Sequence, residues 1–312
     1  MRRRHCLPKW FPLIRTSRLA TSCNRHAPRA VELERYRIDS HKLIYHVPRI
    51  NDWLNGKNIY PIYLNESLNG ALLNKTFAEE ILESLEWIKV SMAAATDETY
   101  SKIHRTKSSD FATVLDNMAY AARLRHEKGY KYTLGMQILL IPENEHEVCL
   151  LAETAKGIGM DYLVVKPYSQ HPKSKTQKYK EIEYSKYLHL GEQLEKIETE
   201  NFQVIFRARA MMKWNQGLRP YERCLALPFW SYIDAGGNVW GCSIYLGDEQ
   251  FRYGNIYENT FPEIWNGEKR LGFLKMFEQR FDVSECRINC RMDEINRYLW
   301  ELTNPPSHVN FI

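Results

Sequence analysis

Four of the chain's seven cysteines, Cys224, Cys242, Cys286 and Cys290, fall between Cys224 and Trp300, and this constrains the fold more than any other feature. A disulfide framework would use an even number of cysteines and spread them over the chain, so thiols grouped in one stretch point to a shared metal in a reducing compartment. Cys286-Arg287-Ile288-Asn289-Cys290 is a short pair able to grip a metal from one loop. Cys224 and Cys242 have 17 residues between them and do not form the second short knuckle of a zinc ribbon. Between them, Phe229-Trp230-Ser231-Tyr232-Ile233 and Asn238-Val239-Trp240-Gly241-Cys242 read as two strands joined by Asp234-Ala235-Gly236-Gly237. A turn centred near Ala235-Gly236 sets Cys242 opposite Phe229 or Trp230. Cys224 must then fold back through Pro228 to join it. Four thiolates can hold a structural zinc or a [4Fe–4S] cluster, since both take sulfur in roughly tetrahedral disposition. Free cysteine is also among the most buried residue types. That bland reading suits Cys149, flanked by Val148, Leu150 and Leu151, but not Cys286 and Cys290, which stand among Glu285, Arg287, Asn289, Arg291 and Asp293.

The rest of the chain can build a large core, with 312 residues of which 44% are hydrophobic. A net charge of +5, from 43 basic and 38 acidic residues, is far from the clustered basic stripe that nucleic acid requires, so no nucleic-acid partner is expected. No apolar run approaches the ~18 residues of a membrane span, so no membrane partner is expected and the location is cytoplasmic. Residues 1–31 carry seven arginines and no acidic residue, which imitates a transit peptide. Arginine-rich segments without apolar periodicity rarely fold, so residues 1–57, with Cys6 and Cys23, read as a disordered extension.

From Ile59 onward the pattern becomes regular. A strand at Ile59–Leu64 is followed by an Asn69-Gly70 turn and a helix from about Thr76, with Thr76 and Glu79 as a capping box. Then come strand Trp87–Ser91, helix Asp110–Lys128, strand Tyr132–Ile141, helix Glu145–Ile158 and strand Asp161–Lys166. A long helix runs to about Glu200 and one more strand covers Phe202–Phe206. This alternation implies parallel strands, and the almost continuously apolar run from Leu134 to Ile141 fits a strand covered on both faces. In such α/β folds ligands gather at the C-terminal strand ends, which singles out Ser91, Asn144, Lys166, Tyr168, Gln170 and His171. At those places serine and asparagine are more often helix caps and lysine a surface charge. The turn-rich Asn215–Pro220 marks a boundary, so residues 58–214 form one domain and 215–312 another.

Several of these runs together are similar to radical SAM enzymes with a C-terminal SPASM or shortened twitch domain. The runs are Cys224 through Gly237-x4-Cys242, Gly254-Asn255-Ile256, Phe261-Pro262-Glu263-Ile264-Trp265 and Cys286-x3-Cys290. Upstream, Trp87–Ser91, Glu143-Asn144 and Lys166–Pro172 resemble the later βα units of the partial radical SAM barrel. The resemblance covers roughly residues 58–312. It implies an incomplete (βα) barrel with a small α+β domain holding one auxiliary [4Fe–4S] cluster on Cys224, Cys242, Cys286 and Cys290. It also implies S-adenosylmethionine as a family cofactor, with Ser91 and Lys166 as remnants of the SAM or substrate surface, a peptide or small-molecule substrate and an electron donor. One part of the family pattern is missing. Radical SAM enzymes cleave SAM at a cluster held by Cys-x3-Cys-x2-Cys after the first strand, and no such run occurs in residues 1–312. Asn69-Gly70-Ala71-Leu72-Leu73 resembles the segment after the third strand, so two βα units of about 60 residues are absent. The resemblance therefore implies a family member without the SAM-cleaving centre. A non-catalytic binding protein stabilised by zinc or iron–sulfur is the competing reading.

Overall fold

The computed structural model describes residues 29–33, 62–234 and 236–307. The chain forms two compact units. One ends at Lys166 and resumes over residues 186–208, and the other combines residues 167–185 with 209–312. The segment Pro167–Ser185 thus groups with the residues that follow Ala208.

The first unit is built on a six-stranded parallel sheet ordered as in the sequence. Its strands are β1 (Arg29–Leu33), β2 (Ile62–Leu68), β3 (Leu85–Ser91), β4 (Thr133–Leu140), β5 (Tyr162–Pro167) and β6 (Gln203–Phe206). The connecting helices are α1 (Lys75–Ile81), α2 (Asp97–His104), α3 (Ser109–Lys128), α4 (Val148–Gly157) and α5 (Leu190–Glu195). Along β4, Leu134, Met136, Ile138 and Leu140 are fully buried, each contributing roughly 2–3 kcal/mol of apolar transfer energy. Helix α3 ends where Gly129 turns left-handed at φ 68°, as its sequence requires.

Some expected elements differ. Arg29–Leu33, inside the stretch read as an unfolded extension, forms a strand parallel to β2, with Arg29 facing Ile62 and Leu33 facing Glu66. The backbone groups along the outer edge of β2, the edge not paired with β3, supply the driving force, which no local periodicity reveals. The first strand runs Ile62–Leu68, later than expected, and Ile59–Pro61 lie outside the described residues. Helix α1 is capped by Asn74, whose side-chain oxygen accepts from the Phe77 N–H at 3.0 Å, so Thr76 is inside the helix and not its cap. The long helix before residue 200 is reduced to α5 and a 3₁₀ turn at Tyr184–Tyr187.

The second unit opens with α6 (Ala208–Gln216), which overruns part of the expected linker. Next come the antiparallel strands β7 (Tyr232–Ile233), β8 (Asn238–Trp240) and β9 (Arg252–Asn255), then helices α7 (Phe261–Asn266), α8 (Glu268–Arg280) and α9 (Asp293–Thr303). Tyr232 pairs with Trp240, so continuing the same register sets Cys242 across from Trp230. Helix α7 begins with a capping box between Thr260 and Glu263 and covers the hairpin with Ile264. A Cβ on Gly254 would meet the Ile264 side chain at 3.0 Å, so this strand position needs a glycine for the helix to seat.

Candidate metal centre

Cys224, Cys242, Cys286 and Cys290 all line one small cavity of ≈ 30 Å³ in the second unit. Its wall is completed by Tyr221, Trp230, Tyr245, Phe277, Phe281 and Asn296 among others. Each sulfur is delivered by a different kind of local structure. Cys224 precedes the 3₁₀ turn Leu227–Phe229, Cys242 leaves the end of β8, and Cys286 and Cys290 bracket a loop before α9. That loop bends because Asn289 adopts a left-handed φ of 58°, which asparagine tolerates better than most residues. Its side chain donates to the Ala210 carbonyl at 2.8 Å, and the Ser169 hydroxyl donates to the Ile288 carbonyl at 2.6 Å. The Arg219 guanidinium donates to the Cys286 carbonyl.

The sulfurs also receive hydrogen bonds. The Ile244 N–H donates to Cys242 Sγ at 3.4 Å, the Met292 N–H to Cys290 Sγ at 3.4 Å and the Asn296 amide to Cys224 Sγ at 3.5 Å. Burial pushes the Cys242 thiol up to about 11, against the Ile244 N–H, which favours the thiolate. Burial pushes Cys286 up to about 12, reinforced by the other three thiols and opposed by Arg219. Cys224 and Cys290 are raised in the same direction, again by burial first. Four half-buried thiols therefore resist ionising side by side, and a cationic centre among them would favour the thiolate state.

The donor set suits an iron–sulfur centre. Among the described residues, no group of three or more His, Cys, Asp or Glu side chains is arranged to hold a single metal ion. One tetrahedral zinc would need its sulfurs about 3.8 Å apart, because each Zn–S bond is about 2.3 Å. The four thiols line one common space and offer an all-sulfur donor set of the kind an iron–sulfur cluster takes. One side of the wall is aromatic: Tyr245 stacks on Phe251 with ring centres 4.4 Å apart, and Phe281 meets Tyr245 edge-on at 5.6 Å. The hydroxyl of buried Tyr253 has no hydrogen-bond partner within the fold, and burial raises its pKa against the opposing pull of the Arg270 guanidinium. It packs against Gly241, beside Cys242, where a Cβ would lie 2.3 Å from it.

Residues 224–291 match the SPASM family, an iron–sulfur cluster-binding domain. The whole chain is similar in structure to anSMEcpe with bound AdoMet, at a TM-score of 0.55 and 16% identity over 95% of this chain and 87% of that one. The chain carries a SPASM domain on a radical SAM-type fold. Streptococcus suis SuiB is also similar, with a TM-score of 0.55 and 14% identity, the match covering 80% of this chain and 57% of SuiB. SuiB bound to the precursor peptide SuiA matches with a TM-score of 0.55 at 12% identity. No curated protein matches the chain.

Outside the SPASM domain the singled-out residues fare differently. Ser91 ends β3 beside Gln137 of β4, whose side-chain amide donates to its hydroxyl at 3.4 Å, and Lys166 lies near the end of β5. Both sit at the C-terminal edge of the sheet, with β4 separating their strands. Asn144 is fully buried and structural, accepting from the Ile141 N–H and donating to the Ala93 and Leu139 carbonyls. Cys149 belongs to the first unit, where it donates to Gln193 at 3.6 Å. Cys6 and Cys23 lie outside the described residues. Sequence reasoning missed Asn296, Tyr221 and Tyr245. A polar residue on the buried stripe of α9 was the available signal for Asn296. Among the described residues, no helix is long and apolar enough to cross a membrane.

Proposed function

We propose that this protein binds one [4Fe–4S] cluster through Cys224, Cys242, Cys286 and Cys290 and acts as an auxiliary-cluster protein of radical SAM/SPASM type on a peptide substrate, without cleaving SAM itself. The observation that carries this reading is the gathering of all four thiols on one buried cavity, with N–H donors already aimed at three of the sulfurs. When bound, the cluster supplies one-electron chemistry and a polar anchor beside the substrate. The chain's own residues hold the ligand loops in place. Arg219 and Ser169 fix the carbonyls of the Cys286–Cys290 loop, Phe277 and Phe281 exclude water, and the N–H donors stabilise sulfur in its anionic form. The similarity to SuiB in complex with a precursor peptide supports a peptide as the substrate class. The absence of Cys-x3-Cys-x2-Cys in residues 1–312 leaves three thiolates too few for a SAM-cleaving cluster, which supports the lack of SAM cleavage. Ser91 and Lys166 are retained as residues of the substrate-facing edge, and an electron donor is the expected partner.

Anaerobic purification with metal and sulfide analysis tests this reading. About four irons and four sulfides per chain are expected. Stoichiometric zinc without iron would replace it with the metal-stabilised binding module. Incubation with SAM and dithionite is expected to yield no 5′-deoxyadenosine beyond a Cys286→Ala control, and any excess refutes the proposed loss of SAM cleavage.

A further inference from the structure

Asn296 lies on the buried face of α9 and is 2% exposed. Its Oδ1 accepts from the Ala226 N–H at 2.8 Å, and its Nδ2 donates to Cys224 Sγ at 3.5 Å. The orientation of the amide is dictated by its surroundings, because turning it over would set its NH₂ against the Ala226 N–H and leave two donors facing each other. The residue thus holds the backbone of the Cys224 loop with one atom and the sulfur with the other. Its helix is anchored one turn earlier. The Asp293 carboxylate accepts from Lys213 Nζ at 2.6 Å, Arg297 Nε at 3.0 Å and the Tyr221 hydroxyl at 2.8 Å. Asn296 therefore presents its donor from a fixed support.

We infer that Asn296 is a positioning residue of the iron–sulfur centre, seating Cys224 and raising the centre's reduction potential through its hydrogen bond to the sulfur. The inference rests on the cluster reading above. Donors to a thiolate stabilise negative charge, and the reduced cluster carries one negative charge more than the oxidised one, so each such bond favours reduction. The backbone donors to Cys242 and Cys290 can be removed only by proline, which also alters the chain's path, whereas the donor to Cys224 is a side chain.

The test is a dithionite titration of anaerobically reconstituted protein, followed by visible absorbance and electron paramagnetic resonance. Asn296→Asp keeps the acceptor for the Ala226 N–H, loses the donor and adds negative charge, so its midpoint potential is expected to move to a more negative value. Asn296→Ser adds no charge and is expected to shift less in the same direction. Tyr298→Phe, on the exposed face of the same helix, is expected to titrate like the unaltered protein. Failure of both Asn296 variants to take up iron while keeping the unaltered far-ultraviolet circular dichroism also supports the seating role. Iron-loaded variants with an unaltered potential overturn the inference, as does loss of the native spectrum, which marks a merely structural residue. An unaltered protein that takes up no iron removes the proposed function and this inference with it, so the two failures are told apart by the unaltered protein alone.

Discussion

The two units of the chain bury polar groups in opposite ways. In the first, the buried carboxylate of Glu147 finds its partners within the fold. The Glu147 carboxylate accepts from the Ala95 N–H at 2.7 Å, the Thr96 hydroxyl at 2.7 Å and the Thr99 hydroxyl at 2.6 Å, and so ties the start of α2 to the turn after β4. In the second, four thiols face one cavity, while the Tyr253 hydroxyl and the Asn289 Oδ1 are buried without hydrogen-bond partners. Unsatisfied buried groups cost roughly 1–3 kcal/mol each, and thiols held side by side are ionised and satisfied by a bound cationic centre. Folding completes the first unit; the second is completed by what it binds.

The largest effect that separates them is loss of the centre. Cys286→Ala, or chelation, is expected to abolish iron binding and to lower the stability of the second unit, where metal-coupled folding carries on the order of 10 kcal/mol. The sheet of the first unit should be unchanged. Hydrogen exchange checks both at once: amides of Val239 and Tyr253 should lose protection while those of Leu134 to Leu140 keep theirs. Equal loss in both units would erase the distinction.

Next comes Asp293, whose carboxylate is buried beneath Lys213, Arg297 and Tyr221. Burial alone would raise its pKa, but those three hydrogen bonds outweigh it and hold it below the ordinary aspartate value. Asp293→Ala leaves the largely covered Lys213 without one of its two anionic partners and should cost about 4 kcal/mol, read from urea unfolding of iron-loaded protein. Since this network supports α9 and through it Asn296, iron content should fall as well. In the first unit, Glu147→Ala should cost about 3 kcal/mol without altering iron content, because it removes a charged acceptor from several donors at once. Burial raises the Glu147 pKa, yet the bonds from Thr99, Ala95 and Thr96 more than compensate and the net shift is downward. A depressed carboxylate stabilises above its unfolded pKa of about 4.3, and that contribution is lost as pH falls through the lower folded value. Glu147→Gln should therefore flatten the fall in urea midpoint between neutral and strongly acidic pH.

How much of this could be read in the sequence follows the same division. The alternation of β3, α3, β4, α4 and β5 was legible because apolar period and terminal glycines are local signals. The partner of β2 was not, since Arg29–Leu33 is drawn into a strand by an edge distant in sequence. In the second unit the four cysteines were legible as a group from spacing and setting. Their supports were not: Asn296, Tyr221 and Ser169 act through contacts across 70 or more residues, which no spacing encodes. The α6 helix was hidden by the turn signals of Asn215–Pro220, which mark its end and not a free linker.

The smallest predicted effect compares two glycines with the same backbone demand, one in each unit. Gly129 ends α3 at φ 68° and Gly237 closes the β7–β8 turn at φ 81°. Both resist a side chain through left-handed strain of about 1 kcal/mol. They differ in what a Cβ would meet. At Gly129 there is nothing within 4 Å, whereas at Gly237 it would fall 2.7 Å from the Tyr257 ring and 3.0 Å from Asn255 Oδ1. The Gly237 backbone is also tied on both sides, its N–H donating to the Asp234 carbonyl at 3.0 Å and its carbonyl accepting from Ile256 at 2.9 Å. Tyr257 is 47% exposed and can swing aside, so the added cost is modest. Gly129→Ala should cost about 1 kcal/mol and Gly237→Ala about 2 kcal/mol by urea unfolding. Because β8 delivers Cys242, the Gly237 variant alone should also slow iron uptake during reconstitution. Equal costs and equal uptake rates would mean that the hairpin yields as freely as a helix end, and that Cys242 does not depend on it for its place.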